Sequence, residues 1–176
     1  LTAYRNTMGS QYLTLVPGQQ ATDVDFAVQS ASIIPELGLV AYYPFNGDAR
    51  DESGYGYHGE AHGAVLASDR FDRDNHSYSF NHDSDFIDLG TPAVHPESLT
   101  ISTWILTEEA DGVFSTVIKK SPWGAYNSDA WQLEFKDGKP YAEFGWGGKL
   151  DSGKHIADGK WHQVVASYDQ STNKRY

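Results

Sequence analysis

Apolar and polar positions alternate along much of this chain with a period of two. Residues 39–43, Leu-Val-Ala-Tyr-Tyr, form an apolar run stopped by Pro44. Residues 77–80 and 86–89 are short apolar segments around the polar turn 81–85. Leu99, Ile101 and Ile105 mark one face of a longer segment over 99–106, and 113–118 is another. Residues 161–169 alternate again between the turns Asp158-Gly159 and Asp169-Gln170. No window of adequate length carries the helical period, so the pattern predicts strands throughout. Between 44 and about 63 the chain reads as an irregular loop rich in Gly, Asp and Ser.

One hairpin can be registered residue by residue. Asp137-Gly138 is a preferred two-residue turn between antiparallel strands. It places Phe135 opposite Pro140, Leu133 opposite Ala142 and Trp131 opposite Phe144, all apolar and on one face. Gln132, Glu134, Tyr141 and Glu143 fall on the other face, with Glu134 opposite Tyr141 and Glu143 opposite Gln132. A slip of one residue would mix the two sets, so the register is self-consistent.

Near the start, 12–16 reads as a short strand, and Val24, Phe26 and Val28 alternate with Asp23, Asp25 and Ala27. Two strands rarely hold together in water, so their partners are expected upstream of Leu1. Residues 1–30 are then the last strands of a preceding β-sandwich, 31–38 a linker and 39–176 a second module.

Composition narrows the partners. The net charge of −11 disfavours nucleic acid and anionic lipid surfaces. Ten acids and three arginines between residues 45 and 90 leave −7 of that total in one stretch. Without cysteine there is no disulfide framework and no thiolate chemistry. No apolar run approaches the ~18 residues that would cross a bilayer, so no membrane insertion is expected.

Four segments occur in a telling order. The first is Leu39-Val40-Ala41-Tyr42-Tyr43-Pro44-Phe45-Asn46-Gly47-Asp48, followed by Asp51-Glu52-Ser53-Gly54-Tyr55-Gly56. The second is Tyr78-Ser79-Phe80, followed by Asp85-Phe86-Ile87-Asp88-Leu89. The third is Leu99-Thr100-Ile101-Ser102-Thr103-Trp104-Ile105. The last is the strand opening with Trp161-His162 after Asp158-Gly159-Lys160. Over residues 39–176 this succession resembles the laminin-G-like (concanavalin A-like lectin/glucanase) jelly roll. The resemblance implies an all-β, two-sheet antiparallel jelly-roll β-sandwich, with its last strands beyond Tyr176. It also implies binding of glycans or protein surfaces, often with a structural calcium ion. Residues 1–30 look like the end of a carboxypeptidase-regulatory-like β-sandwich.

Candidate chemistry is sparse. A Ca²⁺ ion takes six to eight oxygens. Asn46, Asp48 and Asp51 cluster in a Gly-containing loop and are the expected ligands, although the spacing fails the EF-hand template, whose twelfth position from Asp51 is His62. Asp69, Asp72 and Asp74 read as a solvated loop. His58 and His62 flank Glu60 without the zinc-protease spacing, so they read as loop histidines, and His162 as a packed one. Glu134 and Glu143 share the hairpin's polar face, where solvation is expected. The Glu-x-Asp-x-x-Glu strand of glycosidases with this fold is absent, as are a nucleophile elbow and a phosphate-binding loop. Trp123 and Tyr126, in a polar loop with Asn127 and Asp129, are candidate sugar platforms with hydrogen-bonding groups. Trp146, among Gly145, Gly147 and Gly148, is another. Trp131 and Trp161 read as structural, and Trp104 is open.

These readings lead to a non-catalytic, lectin-like module of a larger secreted or cell-surface bacterial protein that binds polysaccharide. An adhesion, protein-interaction or spacer role is the alternative. A glycosidase or lyase domain is a further one, and any catalysis by the parent protein would sit elsewhere.

Overall fold

A computed structural model describes residues 2–4, 7–14, 38–90, 98–108, 114–120, 130–145 and 148–176, the first two stretches through their backbone pairing. Among the described residues every element is a strand. In chain order they are β1 (Thr2–Tyr4), β2 (Thr7–Thr14), β3 (Leu39–Tyr43), β4 (Glu60–His62), β5 (Val65–Ala67), β6 (Ser77–Ser79), β7 (Phe86–Asp88), β8 (Ser98–Leu106), β9 (Phe114–Lys120), β10 (Trp131–Lys136), β11 (Lys139–Phe144), β12 (Gly148–Asp151), β13 (Trp161–Asp169) and β14 (Lys174–Arg175). They form two antiparallel sheets. The first runs β12-β11-β10-β9-β1-β7-β4, and the second runs β14-β13-β8-β2-β6-β5, with β3 also on β2.

The core lies between the sheets. Trp131, Leu133, Phe135, Ala142 and Phe144 of the first sheet share one cluster with Leu99, Ile101, Ile105, Val164 and Ala166 of the second. Tyr43, Phe45, Tyr78, Phe80 and Ile87 extend it. Burying one such large apolar side chain contributes about 1.5–3 kcal/mol, so the period-two pattern is the main determinant of which face turns inward.

The hairpin β10–β11 has the register read from the sequence, Phe135 to Pro140, Leu133 to Ala142 and Trp131 to Phe144. Asp137 (φ 50°) and Gly138 (φ 71°) both take the left-handed conformation that the short turn demands. On β9 the pairing with β10 shifts between Leu133–Ile118 and Glu134–Thr116. Val117 is therefore an extra, bulged residue. The bulge lets Val117 and Ile118 both enter the core while Thr116 and Lys119 turn to the outer face.

The N-terminal strands depart from expectation. The partners expected upstream of Leu1 are found downstream instead. β1 lies between β7 and β9, and β2 pairs with β8, β3 and β6. The reason is edge pairing. β8 is a nine-residue strand with β13 on one side, and its other side needs a partner for its N–H and C=O groups. β2 supplies one over seven paired positions. The alternation at Val24, Phe26 and Val28 lies outside the described residues. β4, β5 and β12 were not expected. They have three or four residues each and lack a fully buried face, so their pattern is too short to register.

Candidate functional site

Side chains on one face of an antiparallel sheet stand opposite one another across the strands. On the outer face of the first sheet this brings polar residues into two adjacent rungs. Gln132 on β10 is opposite Lys119 on β9 and Glu143 on β11, and Glu143 is opposite Lys149 on β12. In the next rung Glu134 is opposite Thr116 and Tyr141, and Tyr141 is opposite Asp151. Leu133, Ala142 and Leu150, which alternate with these residues, pack on the core.

Six of these eight residues form one bonded network. The Gln132 side-chain amide donates to Glu143 Oε2 at 2.6 Å and to Glu134 Oε2 at 3.2 Å. Thr116 Oγ1 donates to Glu134 Oε1 at 3.3 Å, and Tyr141 OH to Glu143 Oε1 at 3.4 Å. Lys149 Nζ lies 3.2 Å from Glu143 Oε1. Glu143 and Lys119 are each only 7% exposed, although both face away from the core. Solvation of Glu134 and Glu143, expected from sequence, is thus replaced by burial and pairing.

Electrostatics follow from that burial. Burial raises the Glu134 carboxyl above its ordinary range; the neighbouring Glu143 raises it further, against opposition from Thr116 and Lys119. Bonded to one shared amide, the two carboxylates lie within about 6 Å, where like charges couple. Burial lowers the Lys119 ammonium, with Glu134 acting against it. Hydrogen bonds to Tyr141 and Glu143 raise that of Lys149.

Residues 81–176 match the family described as the concanavalin A-like lectin/glucanases superfamily. The chain belongs to this superfamily. Comparison with curated proteins and with solved structures gave no match. The matched stretch carries β7 to β14 and so all eight residues of the rungs. Superfamily membership supports a sugar-binding or structural module, and the superfamily also includes glycosidases. The match does not reach residues 1–30, so it adds nothing to their likeness to a carboxypeptidase-regulatory-like sandwich.

Trp123, Tyr126, Asn127, Asp129 and Trp146 lie outside the described residues. In the chain, 121–129 falls between β9, which ends at Lys120, and β10, which begins at Trp131. Segment 146–147 joins Glu143's strand to Lys149's strand.

Two of the three expected calcium ligands, Asp48 and Asp51, have partners of their own. Asp51 is 5% exposed. Its Oδ1 accepts the N–H groups of Tyr42 (3.0 Å) and Ser53 (2.8 Å), and its Oδ2 accepts that of Tyr57 (3.0 Å). The carboxylate faces N–H dipoles, whose positive ends already fill the place of a cation. Asp48 is exposed and turned to Arg50, accepting its N–H at 3.0 Å with the guanidinium 3.3 Å away. Asn46 is exposed. This donor set does not fit a calcium ion, and among the described residues no group of three or more His, Asp or Glu side chains fits a metal.

The remaining candidates are structural. His58 Nδ1 accepts the Asp51 N–H, and His62 stacks on Phe86 with ring centroids 4.6 Å apart. His162 bonds Asp158 at 2.8 Å. Asp69, expected to be solvated, is buried: it accepts the N–H groups of Phe71 and Arg73 and pairs with the Arg73 guanidinium. The turn it organises lays the Arg70 guanidinium between the rings of Phe71 (4.3 Å) and Trp104 (4.6 Å), which places Trp104 on the outer face of the second sheet. Sequence reasoning named Gln132, Glu134, Tyr141 and Glu143 as one polar face but passed over Lys119, Thr116, Lys149 and Asp151. The outward parity of those four follows only once β9's bulge and β12 are known.

Proposed function

We propose that this domain binds polysaccharide without cleaving it, in a larger secreted or cell-surface protein that it tethers to the polymer. The observation that carries this reading is the Gln132 amide bonded to both Glu134 and Glu143. A hydrolytic carboxyl pair must flank the scissile bond with a sugar oxygen between the two groups. Here one amide nitrogen fills that gap. Carboxylates held by fixed donors, beside hydroxyl and amide groups, are instead the few placed polar atoms by which a site reads sugar hydroxyls. Trp123, Tyr126 and Trp146 are the proposed stacking faces, and Asn127 and Asp129 the added hydrogen-bonding groups. The ligand is held without calcium, because the Asp51 carboxylate is occupied by its own loop.

The test is a polysaccharide-binding screen of the full chain, with calcium and with chelator, alongside an assay for released reducing ends. Binding that persists in chelator, weakens in Trp123→Ala and releases no reducing ends is expected. Release of reducing ends that Glu134→Gln abolishes would overturn the non-catalytic reading. Loss of binding in chelator would return calcium to Asn46, Asp48 and Asp51.

A further inference from the structure

We infer that Asn46–Gly47 is a self-modification site that the fold holds shut. When its turn opens, the Asn46 side chain deamidates to aspartate or isoaspartate, and the isoaspartyl turn does not close again.

The reactivity belongs to the sequence. Asn46-Gly47 is the one Asn-Gly pair in the chain. The backbone nitrogen of Gly47 attacks the Asn46 Cγ, gives its proton to water and expels the side-chain nitrogen as ammonia. A succinimide ring is left. Water then opens one or other ring carbonyl, which yields aspartate or isoaspartate, and no further reagent is needed. Glycine hinders the attack least, because it carries no Cβ beside the nitrogen. Asn46 and Gly47 are both exposed, and a Cβ at Gly47 would meet nothing within 4 Å, so water reaches the pair.

The fold withholds the nucleophile. The Gly47 N–H donates to Phe45 C=O at 2.9 Å and to Asn75 C=O at 2.8 Å. The first bond closes a three-residue turn around Asn46. The second ties that turn to the chain just before β6. Attack requires the nitrogen to lose this proton and the turn to rotate toward the Asn46 side chain, and both bonds oppose it. Two residues in the left-handed conformation supply the accepting carbonyls, Phe45 (φ 56°) and Asn75 (φ 61°). Such conformations persist only where the surroundings over-determine them. Phe45 is held by the core: it is 2% exposed, and its ring stands edge-on to Tyr78 at 5.0 Å.

Conversion changes the turn itself. Isoaspartate routes the backbone through the former side-chain carbon and adds a methylene between residues 46 and 47. The Gly47 N–H then no longer meets both carbonyls, and the loop from β3 to β4 loses its tie to Asn75. Either product also sets a new carboxylate beside Asp48.

The experiment ages the full chain at mildly alkaline pH, folded and in urea, and maps peptides for a gain of one mass unit at residue 46. Conversion should be at least about tenfold slower in the folded chain, because it waits on local opening. Asn75→Val puts a β-branched residue in the left-handed conformation and leaves the reacting pair intact. It should speed conversion of the folded chain about tenfold. If that variant does not fold, Asn75→Ala is the milder strain, and a smaller acceleration in the same direction is expected. The converted fraction, resolved by its added negative charge, should melt below the unmodified protein. Equal rates in the folded chain and in urea, or no acceleration in the Asn75 variants, overturn the clamp. Faster conversion at another asparagine of the folded chain overturns the assignment to Asn46. A converted fraction that melts with the unmodified protein overturns the failure to reclose.

Discussion

Replacing Asp51 tests how the long loop after β3 is held. Its buried carboxylate is the shared acceptor for the N–H groups of Tyr42, Ser53 and Tyr57, spanning residues 42 to 57. The same loop is tied by Glu52 N–H to Tyr42 C=O at 2.8 Å and Gly59 N–H to Ala49 C=O at 2.7 Å, so it does not simply open when the carboxylate is lost. Asp51→Ala then leaves three donors without an acceptor. Each costs about 1–3 kcal/mol when buried, and the partly exposed Ser53 and Tyr57 recover some of it from water, giving about 4 kcal/mol in all. In a chain of this size that lowers Tm by about 10 °C. Asp51→Asn keeps one carbonyl oxygen for Tyr42 and Ser53 but sets its amide against the Tyr57 N–H, so about half the loss is expected. These hydrogen bonds hold the carboxyl below its ordinary range despite burial. Its contribution is therefore present above the ordinary carboxylate pKa and is lost as pH falls below it; both variants flatten that acid limb. Urea unfolding followed by tryptophan fluorescence measures the effect. A cost of Asp51→Ala below about 1 kcal/mol would refute the acceptor role. So would a chelator that lowers the Tm of the unaltered protein as far as the substitution does, because Asp51 would then be acting through a metal.

Two further stability effects follow from other elements. Gly138 and Gly153 both have positive φ (71° and 65°), but a Cβ at Gly138 would strike the His155 ring while one at Gly153 meets nothing within 4 Å. Gly153→Ala should cost about 1 kcal/mol of backbone strain alone and Gly138→Ala measurably more; equal costs in denaturant titration would show that His155 moves aside freely. Glu134's carboxyl is held above its ordinary range, so the folded state keeps a proton that the unfolded chain has released. Stability should fall as pH rises above the ordinary glutamate pKa, and Glu134→Gln should remove that fall. An unchanged slope in the variant would place the titration on another group.

How much of the fold was legible depended on element length. β8, β10, β11 and β13 have six to nine residues, enough for alternation to name an inward face, and Asp137-Gly138 pinned one register outright. β4, β5 and β12 have three or four residues and draw their pairing from neighbours already in place, so their own residues carry little signal. The placement of β1 and β2 is a tertiary fact. Nothing within residues 2–14 says that an unpaired side of β8 awaits β2.

The candidate site was half legible for a related reason. Parity along one hairpin put Gln132, Glu134, Tyr141 and Glu143 on one face, but parity says nothing of what lies beside them. Lys119 turns outward because Val117 is bulged; without the bulge β9 would offer Val117 and its neighbours in a different phase. Lys149 is opposite Glu143 only because a four-residue strand pairs there. Once those two lysines bracket the glutamates, the chemistry of the face changes. An isolated acidic pair would repel itself and attract cations. The same pair, bonded to a shared amide and flanked by ammonium groups, is a balanced set of donors and acceptors. That balance, rather than any single residue, argues for a surface that reads hydroxyls.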